Sequence, residues 1–303
     1  MLEAVSKMKP GLSFLTLSAI AAALILFSCR ATPRPEAQTT STAEESPHAY
    51  FGFDRNIYPG DDAMKALRRD FAFSGYWLSA PPGEKASTWN GKREFMRSLG
   101  FGFLVLYQGR AERELKDAKI AYGLGEADAK ATAVAAKREG FPANTIVFLD
   151  IEEGGRLSPA YHSYIQGWLW SLTQVGYQGG FYCSAIPVKE DASTTITTAD
   201  DIINSLALKS RAFTIWAYND ACPPSPGCAF PAKPPSPELS GNSIAAVWQY
   251  TQSPRRMEFT AHCAPGYHTD GNCYAPGDTA HAWFLDVNSA TSPDPSKGAG
   301  ASK

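Results

Sequence analysis

The sequence predicts an α/β protein built as a single TIM-like (β/α)8 barrel, with an incomplete helical ring expected in the C-terminal third. Three observations carry this. Eight short apolar runs, rich in aromatic and β-branched residues, follow one another from residue 51 onward, each of strand length. Helical patterns separate the earlier runs, which implies parallel strands joined by crossovers, and eight such strands close on themselves with no edge left unpaired. The chain has 303 residues, 44% of them hydrophobic and only 19% charged, enough for one large core.

The runs cover 51–54, 73–79, 101–108, 145–151, 179–184, 213–218, 245–250 and 283–287. After the first, Met64, Leu67 and Phe71 share one helical face. A second helix spans about 126–139, with Gly140 as its stop and Pro142 beyond. The clearest helix follows the fourth run. Ser158 can cap it with Pro159 at its first position, and Tyr161, Tyr164, Ile165, Trp168, Leu172 and Val175 recur at three-and-four spacing before Gly176. Stretches 221–241 and 251–281 carry Pro, Gly and Cys where helices would be expected, and read as loops over one rim. An open doubly wound sheet is the alternative architecture. No glycine-rich phosphate loop follows the first run, so nucleotide binding has no local support and no cofactor is expected.

Residues 1–28 read as a lipoprotein-type signal peptide: Lys7 and Lys9 precede the apolar run 12–27, and Cys29 stands where such peptides are cleaved and acylated. An uncleaved anchor and a plain signal peptide are the alternatives, and each exports the domain. Residues 29–49 form a tether too poor in large apolar groups to order itself. The barrel is expected over 50–290 and a disordered tail over 291–303. Together these predict a monomer, periplasmic or at the cell surface, held to the membrane by an N-terminal lipid anchor.

Two short local disulfides, Cys222 with Cys228 and Cys263 with Cys273, are the simplest pairing in an oxidising compartment, leaving Cys183 as a buried free thiol. Zinc competes poorly, since the spacings lack two close Cys or His pairs and His262 and His268 alone are weak ligand evidence. No metal is expected, although calcium would be tolerated. With 28 Lys plus Arg against 30 Asp plus Glu, the chain has no positive field for nucleic acid. Its 7 Trp, 13 Tyr and 16 Phe suit flat, partly apolar ligands such as sugars.

The predicted strand ends are acidic. Asp54 closes the first strand, Asp150, Glu152 and Glu153 the fourth, and Asp286 the eighth. In a barrel, residues at the C-terminal strand ends face a common pocket. Side chains two apart on a strand share a face, so Asp150 and Glu152 should both point into the mouth. Closure would make the first and eighth strands neighbours and set Asp54 beside Asp286. Clustered, partly buried carboxylates keep at least one proton to higher pH, which suits acid catalysis of glycosidic cleavage. Tyr76, Trp77, Tyr107, Tyr182, Trp216, Tyr218, Trp248 and Tyr250 are candidates for stacking on sugar faces, although a strand aromatic is more often core. The bland reading of the acids is a structural hydrogen-bond network or a divalent-cation site.

These motifs carry a family resemblance. Phe53-Asp54, Asp150-Ile151-Glu152, Trp216-Ala217-Tyr218, Trp248-Gln249-Tyr250 and Leu285-Asp286-Val287-Asn288 resemble family 25 glycoside hydrolases, the lysozyme-type muramidases. The first half, with Gly52-Phe53-Asp54, Tyr76-Trp77-Leu78, Leu106-Tyr107 and Tyr182, more closely resembles the glycoside hydrolase-like barrel called domain-of-unknown-function family 1906. The resemblance implies Glu152 as general acid, Asp150 orienting the substrate's N-acetyl group, and Asp54 and Asp286 lining the cleavage subsite. Glu153 and the two cysteine-bearing loops depart from the muramidase pattern. The expected function is an exported hydrolase of peptidoglycan or related N-acetylated glycans. The alternative is a lipid-anchored barrel that binds glycan or a partner protein without turnover. A metal-dependent deacetylase or phosphodiesterase is more distant, for want of His ligands.

Overall fold

A computed structural model of the chain describes residues 48–207, 212–224, 231–252, 280 and 283–300. The signal segment, Cys29 and all but the end of the tether lie outside these residues, as do Cys228, Cys263 and Cys273. The strands are β1 (Tyr50–Asp54), β2 (Phe73–Trp77), β3 (Gly102–Gln108), β4 (Ile146–Asp150), β5 (Gln178–Ser184), β6 (Val188–Lys189), β7 (Thr195–Ile196), β8 (Thr214–Tyr218), β9 (Ala245–Thr251) and β10 (Asp286–Ala290). The helices are α1 (Asp61–Leu67), α2 (Arg93–Ser98), α3 (Ala118–Arg138), α4 (Pro159–Gln174) and α5 (Thr198–Ala207).

Local chemistry accounts for the helix ends. The Ser158 hydroxyl accepts from the Tyr161 backbone N–H at 3.1 Å, capping α4 where the sequence placed its start. Helix α3 begins earlier than its periodicity indicates, because the Asp117 carboxylate accepts from the backbone N–H groups of Lys119 and Ile120, both at 3.0 Å. Gly123 and Gly125 blur the apolar pattern of that first stretch. Between β8 and β9 the described residues hold a 3-10 turn, Pro237–Ser240, and no α-helix, so the helical ring is incomplete there.

The sheet closes as a barrel in the order β1-β10-β9-β8-β5-β4-β3-β2, and β6 and β7 form a separate two-stranded hairpin. Strands β1 to β5, β8 and β9 all run parallel to one another. The last strand corrects the expectation of uniformly parallel strands: β10 is antiparallel to both β9 and β1. The eighth strand also starts later than predicted, at Asp286. Its beginning, not its end, therefore lies at the rim where the other strands finish. Closure still removes both sheet edges, which the direction of one strand does not alter.

Running downward, β10 delivers the following residues to the opposite end of the barrel. Residues 291–300, expected to be part of a disordered tail, pack there instead. Strand β3 pairs with β4 only from Val105, and the tail supplies the missing partners. The Phe103 N–H donates to Asp294 Oδ1 at 2.9 Å, the Ser296 N–H to the Phe103 carbonyl at 2.9 Å, and the Ile146 N–H to the Ser296 carbonyl at 2.8 Å. Ser296 is fully buried, and its hydroxyl accepts from the Val105 N–H at 2.9 Å. The tail expected to be disordered over 291–303 is thus ordered as far as residue 300. The barrel end orders it, because buried backbone groups must be paired.

Candidate active site

The structure brings Asp54, Asp150, Glu152 and Asp286 to one rim. Asp54 and Asp286 are directly opposite in the β1–β10 ladder. The Tyr182 phenol reports the convergence. It is buried and held well above its usual pKa, first by desolvation and then by the charges of Glu152, Asp54, Asp150 and Asp286. Four acids from three distant segments of the chain thus act on one side chain at the barrel mouth.

Their environments differ. Asp54 is buried, and its Oδ2 accepts from Asn288 Nδ2 at 2.7 Å and from Gln249 Nε2 at 2.9 Å. Desolvation raises its pKa from 3.8 to about 6 against the opposing pull of these two donors. Asp150 is also buried, with Oδ2 lacking a hydrogen-bond partner. Desolvation and then the charge of Glu152 hold its carboxyl well above the carboxylate range, and a hydrogen bond joins the two side chains. A bond between two carboxyls requires a proton on one of them. Glu152 lies in the loop just past β4 and is exposed, not on the strand itself.

The amides around Asp54 are oriented by donors beneath them. Trp216 Nε1, which can only donate, bonds Asn288 Oδ1 at 2.9 Å, so the Asn288 amide nitrogen must face Asp54. The Tyr182 hydroxyl bonds Gln249 Oε1 at 2.8 Å, turning that amide nitrogen toward Asp54 as well. Neither β8 and β10 nor β5 and β9 are adjacent strands, so these bonds cross the barrel interior. Gln249 and Asn288 stand inside strand motifs that do not by themselves reveal this role. The available signal was Asn288 two residues after Asp286, on the same strand face. A further departure concerns Gly75, where an added Cβ would lie 2.6 Å from the Asp54 Cβ, so only glycine leaves room for the acid.

The aromatic candidates separate into two groups. Trp77, Tyr182, Trp216 and Tyr218 alternate with outward residues and face the interior or mouth, Tyr182 and Trp216 meeting edge to face at 4.8 Å. Trp216 is fully buried and serves Asn288. Tyr76, Tyr107, Trp248 and Tyr250 point the other way. The Tyr76 hydroxyl bonds Glu139 beyond helix α3 at 2.7 Å. Tyr107 feels Asp128 and Arg110 on the helix side, and Trp248 and Tyr250 flank the inward Gln249. These last four are packing residues on the barrel's outer face, a correction to their expected place at the mouth, because the two-residue period of a strand sends every second side chain outward.

Glu153 is tied into the scaffold. Its Oε1 accepts from the Glu112 N–H at 2.6 Å and its carbonyl accepts from Thr198 Oγ1 at 2.9 Å. Behind it, buried Asp201 on α5 accepts from the Leu157 N–H at 2.9 Å and bonds Arg156 and His162. The loop carrying the acids is therefore pinned on both sides. Two cavities flank Glu152. One, of about 430 Å³, is bordered by Pro82, Gln108, Arg110, Arg113 and Asp150. The other, of about 200 Å³, is bordered by Tyr182, Ile186, Val188, Tyr218 and Gln252. Among the described residues no group of three or more His, Cys, Asp or Glu side chains is arranged to hold a metal ion. Cys183 is buried as a free thiol and Cys222 is disulfide-bonded.

Residues 81–222 match the family model of the Rv2525c-like, glycoside hydrolase-like domain. The barrel is glycoside hydrolase-like in fold, as the strand-end motifs imply. Among solved structures it is similar to an uncharacterized B. stearothermophilus protein, with 21% identity over 79% of this chain and 94% of that one and a TM-score of 0.50. It is also similar to the Mycobacterium tuberculosis Tat-secreted protein Rv2525c, with 14% identity over 80% and 95% and a TM-score of 0.46. A third is the catalytic domain of endolysin ply40 from bacteriophage P40 of Listeria monocytogenes, at 15% identity over 84% and 100% with a TM-score of 0.43. No curated protein matches the chain.

Proposed function

We propose that the protein is an exported glycoside hydrolase that cleaves cell-wall or related N-acetylated glycans by carboxylate acid catalysis. The observation that carries this reading is the convergence of Asp54, Asp150, Glu152 and Asp286 around Tyr182 at one barrel mouth. Glu152, open to solvent between two cavities, protonates the glycosidic oxygen. The proton it delivers is the one it shares with Asp150, whose carboxyl burial holds well above the usual carboxylate range. While Glu152 carries the shared proton Asp150 is ionised, and its otherwise unpartnered Oδ2 accepts from the N–H of the substrate's N-acetyl group. Asp54, ionised above about pH 6, opposes the positive charge developing on the sugar ring, with Asp286 beside it.

Residues 1–28 act in this reading as the export signal and Cys29 as the lipid anchor. A disulfide at Cys222 suits the oxidising compartment, with Cys228 as its partner and Cys263 joined to Cys273. The test is reducing-end release from peptidoglycan by the wild type and by Glu152→Gln. Loss of a general acid should lower the rate by about 10²- to 10⁴-fold. Equal rates would remove Glu152 from the role. Saturable glycan binding with no product after prolonged incubation would instead make the barrel a binding module.

A further inference from the structure

The end of the barrel opposite the acids has a chemistry of its own. Strands β1 to β5 start there, so the turns that lead into them form its base together with residues 291–300. At the edge of this base lies a cavity of about 540 Å³. Lys130, Val134 and Lys137 of α3 border it, with Phe141 before β4 and Val175 and Tyr177 before β5. Val134 is 68% exposed and Val175 46%, whereas Phe141 and Tyr177 are buried. A single exposed valine means little, but two at the opening of an apolar hollow make a receptive patch.

Cations surround the patch. Lys130 and Lys137 are exposed, lie two turns apart on one side of α3, and have no side-chain hydrogen bond or ion pair among the described residues. Arg69 and Lys297 are exposed at the same end and meet neutral acceptors: Arg69 Nε donates to the Ala66 carbonyl at 3.3 Å and Lys297 Nζ to Gln178 Oε1 at 3.4 Å. The acids here are mostly engaged. Glu139 accepts from Tyr76, the Gly91 N–H and Arg138. Asp294 accepts from three backbone N–H groups, and Glu94 pairs with Arg97 at 2.9 Å. Asp70 is the exposed acid left over among the described residues. The base therefore offers unneutralised positive charge around an apolar hollow, while the mouth gathers carboxylates.

The path of the chain favours one occupant. Strand β1 begins at Tyr50 on the base, so the segment that carries the apolar run 12–27 and Cys29 joins the barrel at this end. A bilayer containing anionic lipid matches the patch, with negative charge at its headgroups and acyl chains just beneath. We propose that the base of the barrel docks on an anionic lipid bilayer, Lys130 and Lys137 at the headgroups and Val134 and Val175 entering the acyl boundary. Repulsion between the acids of the mouth and the lipid surface supports the same orientation. The docked barrel turns its mouth away from the membrane, and this docking requires no turnover at the mouth.

The test is co-sedimentation of the chain from Arg30 to Lys303 with lipid vesicles. The closed barrel and residues 291–300 lie wholly within that chain, and the apolar run 12–27, which could itself enter lipid, does not. Vesicles of phosphatidylcholine with about one third phosphatidylglycerol should retain the protein, pure phosphatidylcholine vesicles should not, and salt should weaken retention. Each lysine at an anionic surface is worth about fivefold in affinity, so Lys130→Gln combined with Lys137→Gln should lower it about 25-fold. Val134→Ser should lower it about threefold, through lost apolar contact. Lys119→Gln is the control: it lies on the same helix, about 27 Å from Lys137 toward the mouth, beyond the reach of screened charge, and should change nothing. All four side chains are exposed, so unchanged thermal unfolding verifies folding. Reducing-end release from soluble glycan by the double lysine variant should equal that of the wild type. Equal retention by both kinds of vesicle, retention by neither, or a double variant that binds like the wild type overturns the proposal and leaves the hydrolase reading standing. A loss with Lys119→Gln as large as with the pair also overturns it, because the attraction then belongs to the whole charge of the protein and not to this face.

Discussion

Replacing Asp54 with asparagine should make the protein more stable and at the same time inactive. Asp54 is buried, and its pKa is about 6 against 3.8 for the free side chain. At 1.36 kcal/mol per unit, ionised Asp54 costs the fold about 3 kcal/mol. The sign follows from the raised pKa. Between about pH 4 and about pH 6 the native state keeps a proton that the unfolded chain releases, so this group's contribution to stability falls as pH rises through that window. Above it the whole penalty is present. Both amide donors go to Oδ2, so an asparagine with its oxygen in that place keeps both hydrogen bonds and sheds the charge. Urea unfolding followed by tryptophan fluorescence, at steps from about pH 4 to about pH 8, should show Asp54→Asn gaining up to about 3 kcal/mol near neutrality. That corresponds to roughly 6 to 12 °C in Tm for a domain of this size. The gain should vanish toward the acid end. A variant less stable than wild type at neutral pH, or a difference independent of pH, would show that the two amides already offset the burial of the charge.

Other consequences follow from the same network and its supports. Asn288→Leu strands the buried Trp216 Nε1 and removes a donor from Asp54, so it should cost about 1–3 kcal/mol of stability and move the acidic limb of the pH–rate profile upward. Asp294→Ala leaves the Phe103, Gly298 and Ala299 N–H groups without their acceptor; calorimetric Tm should fall with a loss of about 2 kcal/mol or more. Gly109→Ala should lower kcat and stability together, because the added methyl meets the Asp150 carbonyl and displaces the loop. An unchanged crystal position for that loop in the variant would contradict the account. Glu153→Gln should keep measurable activity, since its carboxylate holds the Glu112 N–H and not a substrate atom; a loss as deep as that of Glu152→Gln would give it a chemical role.

Much of this protein was legible in one dimension. Strand-length apolar runs, the Ser158-Pro159 helix start and acids at the ends of the first and fourth strands are local patterns, and local patterns reflect local energetics: backbone propensity, capping and side-chain period. The adjacency of Asp54 and Asp286 was also readable, but for a reason that the fold replaced. It does not require two parallel strand ends, because β10 enters the rim at Asp286 and runs the other way. Strand direction depends on where the intervening chain returns, and no residue of a strand encodes that. The facing of Tyr76, Tyr107, Trp248 and Tyr250 turned on strand phase, which an unbroken apolar run hides because both of its faces are buried. The roles of Gln249 and Asn288 as donors to Asp54, and of residues 291–300 as partners for β3 and β4, arise from contacts between distant segments. Sequence thus determined which residue types stand at the strand ends. Tertiary structure alone decided which of them share an interior, since burial and hydrogen-bond satisfaction are properties of the assembled barrel.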